Sequence, residues 1–445
     1  MRVLIVGAGE VGSNIAARLA PVHDVVVVDV DPEVVDRLTY SLDVLAIEGD
    51  GSSLGTLREA GIADTTMLIA CTDDDETNLV TCGTAATVSD TFTIARVRKA
   101  KFLETWKNFR GAFGVDVMLA TNILTAESIV RVIGLPAALD VDLFAEGIVQ
   151  TAEFAVTERS PVANQTVAEA DQWEALTFAA LVRDGAVTIP SGETVIEAGD
   201  RVIVIGGPAS VEAFAESAAP DDTSKDVDDI VIVGGSKLGY QTAALLVERG
   251  FRPQLIEQDA TRARELAEKL PKASVLEQDG ADVEFLRDEN VDQADVVITA
   301  LESDEKNFFV ALLAKNIGAN RAIAIVENGS YTEFFEQAGV DVAINPREET
   351  SEEIIRQMQE REVENLSIIE ERQAGVLEVE VGEESVLTSR PIREAVADLP
   401  SGVVVGAIAR SDELVVPRGD TVIAPDDHVV LFVEADVIDE VTAIV

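Results

Sequence analysis

MRVLIVGAGEVGSNIAARL, residues 1–19, decides how the rest of the chain is read. An apolar run, Val3 to Val6, meets Gly7-Ala8-Gly9-Glu10-Val11-Gly12, and a helical pattern follows with Ile15, Ala16 and Leu19 on one face. Strand, glycine turn and helix in this order suit a phosphate. Gly7 permits the sharp turn, Gly9 has no Cβ to keep a pyrophosphate from the backbone, and Gly12 lets helix and sheet close up. The helix start adds unpaired N–H groups and the positive end of a dipole. A second apolar run, Val25 to Val28, ends in Asp29, 17 positions after Gly12. That is near the ~20 of a dinucleotide fold, where an acid accepts hydrogen bonds from a ribose 2′-OH and repels a 2′-phosphate. The reading is NAD, as NAD+ or NADH, rather than its phosphorylated form.

Strands are expected at 2–6, 25–29, 44–47, 67–70, 93–97 and 117–119, with helices near 11–20, 32–40, 53–60, 75–88 and 102–110. This alternation is α/β, a doubly wound parallel sheet of Rossmann type, with ligand at the switch point between strands one and four. Residues 120–134 form one more helix with Ile123, Leu124, Ile129, Val130 and Ile133 as its stripe. Such a face packs within the chain or on a second subunit. Residues 140–218 change character: short alternating runs (Ile148 to Val156, Phe178 to Val182, Val202 to Ile205) between glycine turns imply a small α+β domain.

The whole pattern then recurs at an offset near 227. Gly234 answers Gly7 and Gly239 answers Gly12; Glu257 answers Asp29; Asp279 answers Asp50; Leu301 to Asn307 answers Thr72 to Asn78. Arg183 and Asp200 recur as Arg410 and Asp427. So long a period marks a copied two-domain unit, not a solenoid. The expected division is 1–120, a crossover at 121–139, 140–218, a polar linker at 219–229, 230–347, a charged linker helix at 348–365, and 366–445. The fold class is therefore two doubly wound Rossmann-type domains, each followed by a small α+β domain.

The 445 residues carry a formal net charge of −48 with acids along the whole length. Such a surface repels nucleic acid and reads as adaptation to a salt-rich, halophilic cytoplasm. Two separated cysteines, Cys71 and Cys82, give a reduced, cytosolic pattern of core thiols. The N-terminus enters a strand directly, without a signal peptide, and no apolar run nears the ~18 residues of a membrane span. Asp73-Asp74-Asp75-Glu76 either binds a divalent cation or starts a helix, with Asp73 as N-cap and Glu76 closing a capping box. The helix start is the preferred reading, and no metal is assigned. A dehydrogenase is the rival function of the fold. It needs an acid/base beside the nicotinamide, and the two histidines, His23 and His428, are placed away from the first crevice.

VGAGEVG (6–12), Asp29, Glu48-Gly49-Asp50, TDDDETN (72–78), ARVR (95–98), VGGSKLG (233–239) and IPSGETVIEAGDRVIVIG (189–206) together resemble, over the full length, a known family. It is the NAD-binding regulatory subunits of Trk potassium-uptake systems, built from tandem RCK domains (regulating conductance of potassium). The resemblance implies a non-enzymatic homo-oligomer, a dimer or tetrameric ring, peripheral on the cytoplasmic face of the membrane. Its partner would be a membrane potassium-translocating subunit, gated by nucleotide-dependent shape change; ATP or ADP are the alternative ligands. Carried over by position, the first site is Gly7, Ala8, Gly9, Glu10, Val11, Gly12, Asp29, Asp50, Thr72, Asp73 and Arg96. The second is Gly234, Gly235, Ser236, Lys237, Leu238, Gly239, Glu257 and Asp279. The second departs from the pattern: Ser236 replaces the middle glycine, Leu301 replaces Thr72, and Ile325 stands at the place of Arg96.

Overall fold

In a computed structural model, the described residues are 1–109, 111–135, 138–173, 175–183, 185–218, 227–359, 365–369, 374–382, 385–411 and 413–444. Most of the polar linker, the last residues of the charged helix and Pro136 lie outside them.

The first unit runs β1 (Arg2–Val6), α1 (Glu10–Leu19), β2 (Asp24–Asp29), α2 (Pro32–Ser41), β3 (Leu45–Glu48), α3 (Leu54–Glu59), β4 (Met67–Ala70), α4 (Asp75–Val88), β5 (Phe92–Val97), α5 (Ala100–Asn108), β6 (Val117–Ala120) and α6 (Thr121–Ile133). The parallel sheet has the order β3-β2-β1-β4-β5-β6, with the reversal between β1 and β4 that opens a crevice there. Successive residues of β1 feed opposite cores. Val3 and Ile5 pack under α1, whereas Leu4 and Val6 pack against Leu57, Leu79 and Trp106 of α3, α4 and α5. The second unit repeats the order about Ile230–Val233, which pairs with Gln254–Glu257 on one side and Val296–Thr299 on the other.

The two crossover helices are exchanged. Ala126, Ile129, Val130 and Ile133 of α6 bury into the second sheet, among Ile232, Ile298 and Ile323. The second crossover helix, Pro346–Gln359, returns the arrangement by placing Ile354 and Met358 in the first core, beside Val3 and Ile15. The apolar stripe of α6 is thus covered within the chain. The charged helix has few apolar positions, but those it has are fully used.

The smaller units are five-stranded antiparallel sheets. In the first, Leu176–Arg183 and Arg201–Gly206 are central, Val149–Ala155 follows, and Ala138–Phe144 is an edge. That edge strand was not expected from the sequence, because Asp140 and Asp142 break its apolar run. The two small sheets pack face to face through Ala179, Ile203 and Ile205 against Val376, Ala407 and Phe432. Among the described residues, no helix is long and apolar enough to cross a membrane.

Candidate functional site

A cleft of about 760 Å³ opens over the carboxyl ends of β1, β2 and β4. Gly7, Gly9, Glu10, Val11, Asp29, Asp50, Thr72, Asp73 and Arg96 line it; Ala8 and Gly12 lie behind the turn, buried. Gly7 takes φ +95°, the left-handed region. A Cβ on Gly12 would sit 1.9 Å from the Gly7 carbonyl oxygen, so only glycine lets α1 start this close to the sheet. A Cβ on Gly9 would meet nothing within 4 Å: here the backbone faces open space. No side chain caps α1 at Gly9. The first unit therefore offers a helix N-terminus to a ligand, not to itself.

Asp29 accepts hydrogen bonds from Ala8 N at 2.5 Å and Asp31 N at 2.9 Å, which holds its carboxylate at the turn with acceptor capacity to spare. Asp50 accepts from the amide and hydroxyl of Ser52, and these bonds keep its pKa below the usual carboxylate value. Arg96 is buried. Its Nε donates to the Thr121 hydroxyl at 3.1 Å, and its Nη1 lies 3.4 Å from Asp73. Burial, helped by neighbouring Arg98, lowers its pKa.

The acid run at 73–76 is deployed one residue later than expected. Asp74, not Asp73, caps α4, accepting from Thr77 N at 2.7 Å. Asp73 pairs with Arg96 and Arg98, Asp75 accepts from the amides of Arg98 and Lys99, and Glu76 pairs with Lys99 instead of closing a capping box. With three acids in a row the cap can sit on any of them, and the pull of two arginines on Asp73 decides it. Each of these carboxylates has a partner inside the fold. Cys71 is a buried thiol, pushed up to about 12 by desolvation, and Cys82 is buried likewise.

Two residues that the sequence reading did not assign shape the cleft. Asn78, fully buried, accepts from Thr72 N and Thr72 Oγ1 and donates to the carbonyls of Thr72 and Arg96. Asn307 repeats the stitch on Leu301 and Ile325, and the recurrence of this asparagine in both copies was a usable signal. Arg347, from the second unit, also lines the first cleft. No spacing rule could link it to a turn more than 300 residues away.

The second cleft, about 700 Å³, is lined by Gly234, Gly235, Ser236, Lys237, Glu257 and Asp279, whereas Leu238 and Gly239 stand behind the turn. Glu257 holds Gly235 N at 2.8 Å, as Asp29 holds Ala8. The difference lies at the helix start: the Ser236 hydroxyl accepts from Gly239 N at 3.2 Å, so here the chain caps its own helix. Ile325 and Leu301 occupy the structural positions of Arg96 and Thr72, so the buried guanidinium of the first unit has no counterpart at this place in the second.

Comparison with known proteins agrees with this architecture. The TrkA-N domain matches residues 3–121 and 230–346, and the TrkA-C domain matches 151–219 and 376–445. The Trk system potassium uptake protein TrkA homolog 1 of Methanosarcina mazei is 34% identical over 449 residues, covering 99% of both chains. The TrkA homolog of Archaeoglobus fulgidus is 35% identical over 446 residues, with 100% of both chains covered. A structure described as the GsuK channel bound to NAD shares the fold at TM-score 0.61 and 20% identity, over 99% of this chain and 79% of that one. Tandem TrkA-N and TrkA-C domains, with full-length relatives at this identity, make the chain a member of the TrkA family of Trk-system potassium uptake proteins.

Proposed function

We propose that this protein is the cytoplasmic, NAD(H)-binding regulatory subunit of a Trk-type potassium uptake system, peripheral to the membrane. It senses the nucleotide and does not consume it. The observation that carries the reading is the uncapped start of α1 at Gly9, facing a cleft that also holds Asp29 and Arg96. The α1 amides and Arg96 would take the pyrophosphate, and Asp29 would take the ribose hydroxyls. When bound, NAD supplies a nicotinamide whose charge changes with its redox state. A regulator must bind its two states unequally to shift anything. Moving an equilibrium from mostly closed to mostly open takes on the order of 5 kcal/mol of differential binding, which several sites in one assembly can share.

The sensor reading is favoured over a dehydrogenase because, among the described residues that line the first cleft, there is no histidine to serve as acid/base. The second cleft is the weaker nucleotide site, since Ser236 occupies one of its helix-start donors. A homo-oligomer accounts for apolar side chains left exposed at matching places of the two units, Val80 with Phe109 and Phe309 with Phe334. The test is titration of the pure protein with NADH in molar KCl, with and without small carbonyl compounds as hydride acceptors, while absorbance is followed. Saturable binding at constant absorbance supports the sensor; steady oxidation of NADH overturns it in favour of the enzyme.

A further inference from the structure

Arg347 stands at the start of the second crossover helix, yet its guanidinium reaches the first unit's cleft. There it pairs with Glu10 of the glycine turn, and it keeps a hold on its own unit through the Glu327 carbonyl at 2.9 Å and the Glu327 carboxylate at 3.3 Å. Burial opposes its charge, but Glu10 and Glu327 outweigh burial and raise its pKa. One turn along the same helix, Thr350 donates to Thr121 at 3.2 Å, and Thr121 accepts from Arg96. The second crossover helix thus touches the first cleft twice, at Glu10 on its rim and behind Arg96 at its floor.

The charges around the cleft explain why this matters. Its lining carries six carboxylates (Glu10, Asp29, Asp31, Asp50, Asp73 and Asp74) against two guanidiniums, Arg96 and Arg347. Arg96 has 5% of its side chain exposed; Arg347 has 30% and is the cation a ligand meets. The internal repeat makes the arrangement one-way. Asn122 holds the place of Arg347 in the first unit and bonds the Arg98 carbonyl, and it does not line the second cleft.

We propose that Arg347, delivered by the second unit, is the residue that admits phosphate charge to the first cleft and transmits its occupancy to the second crossover helix. Glu10 holds the guanidinium in the absence of a competing anion; a phosphate competes for it, and the helix follows its first turn. The proposal rests on the reading of the first cleft as a nucleotide site and adds which residue reads the charge.

The test uses the full chain in molar KCl, with calorimetric titration by NADH, ADP and adenosine. Arg347→Gln is expected to weaken NADH and ADP about tenfold and leave adenosine unchanged, the size expected of a hydrogen bond to a charged group. Arg347→Lys, which keeps the charge without the planar fork, is expected to fall between. Glu10→Gln, which frees the guanidinium, is expected to tighten NADH, and to do so only when Arg347 is present. Equal loss for adenosine and NADH would show that Arg347 merely shapes the cleft, and unchanged NADH binding in both Arg347→Gln and Glu10→Gln would overturn the proposal outright. A wild-type protein that binds none of the three ligands would instead overturn the nucleotide reading itself. Should Arg347→Gln fail to fold, Glu10→Gln alone decides.

Discussion

The amide of Ala8 donates a 2.5 Å hydrogen bond to the Asp29 carboxylate, so the acid at the end of β2 holds the glycine turn in place before any ligand arrives. Gly235 and Glu257 repeat the relation at 2.8 Å despite the longer acid. Asp29 therefore supports the turn, and under the proposed function it would also accept the ribose hydroxyls. Asp29→Ala removes both and should weaken NADH binding at least tenfold, with about 1–2 kcal/mol of stability lost from the unpaired Ala8 amide. Calorimetry and urea unfolding measure the two losses separately. Equal NADH affinity for wild type and variant would place the ribose elsewhere.

The small units carry a second duplicated device. Asp200, buried, accepts from Arg183 Nε and Nη2 at 2.7 Å each and from Glu197 N at 2.7 Å. Asp427 does the same with Arg410 at 2.7 and 2.6 Å and with Ala424 N at 2.8 Å. Burial works to raise the Asp200 pKa, but Arg183 and the Glu197 amide outweigh it and the pKa falls. Asp200→Ala leaves the Glu197 amide unpaired, a cost of about 1–2 kcal/mol, while Arg183 keeps the Glu197 carboxylate and the Val195 carbonyl, each at 2.9 Å. Asp427→Ala should cost about the same. Urea midpoints check both, and an unshifted midpoint would deny these pairs a structural role.

Much of the Rossmann-type unit was legible because a parallel strand covered on both faces is a plain apolar run, as Val3–Val6 and Val25–Val28 are. The internal repeat then placed the second copy, including Ile325 at the Arg96 position, which the shared Asn78 and Asn307 bonds reproduce. What stayed hidden was relational. The stripe Ile129, Val130 and Ile133 announces a buried face but does not say which sheet buries it. Arg347 looks like any surface cation of a charged helix until folding brings it 337 residues back to Glu10. The cap slipped from Asp73 to Asp74 because side-chain pairing across strands, not local pattern, chose between neighbouring acids.

A cavity of about 190 Å³ lies between the first small unit and the second crossover helix. Asp140, Glu153 and Arg201 face it from the small unit, Glu336 from a helix of the second unit, and Glu348, Glu349 and Glu352 from the crossover helix; Arg131 and Asp142 stand close by. Burial and mutual repulsion push Asp140 and Glu352 up to about 8 and Glu349 up to about 7. Glu352 keeps 45% of its side chain exposed and lies 3.4 Å from Arg18, and that cation works against its upward shift. The unfolded values are about 4, so the folded protein holds protons that the unfolded chain releases. That stabilisation is complete below pH ~4 and is lost as pH rises through 7 to 8. Thermal midpoints should fall between pH 6 and pH 9, and Glu349→Gln with Glu352→Gln should flatten the slope. An unchanged slope in the double variant would put the proton release elsewhere.

The net charge of −48 makes a further demand. At low ionic strength the acids repel across ~30 Å, at molar salt across ~3 Å. The thermal midpoint should therefore rise steeply from 10 mM to molar KCl, and it should do so equally in NaCl if screening is the cause. A midpoint indifferent to salt would contradict the reading of the charge as habitat.

The exchanged crossover helices predict where a single cavity is felt. Ile129 belongs to the first unit by sequence, but its fully buried side chain is part of the second unit's core, with Ile232, Ile298 and Ile323. Ile129→Ala should cost about 3 kcal/mol. The loss should appear as faster amide exchange in Ile230–Val233 and Val296–Thr299, before it appears in the first sheet's own β1. Met358→Ala is the mirror experiment, because Met358 is carried by the second crossover helix and packs beside Val3 and Ile5. If each substitution loosened only the unit that encodes it, the exchange of helices would not exist in solution. Any coupling between the two units would then have to run through the small sheets, where Phe432 and Ile205 share one core.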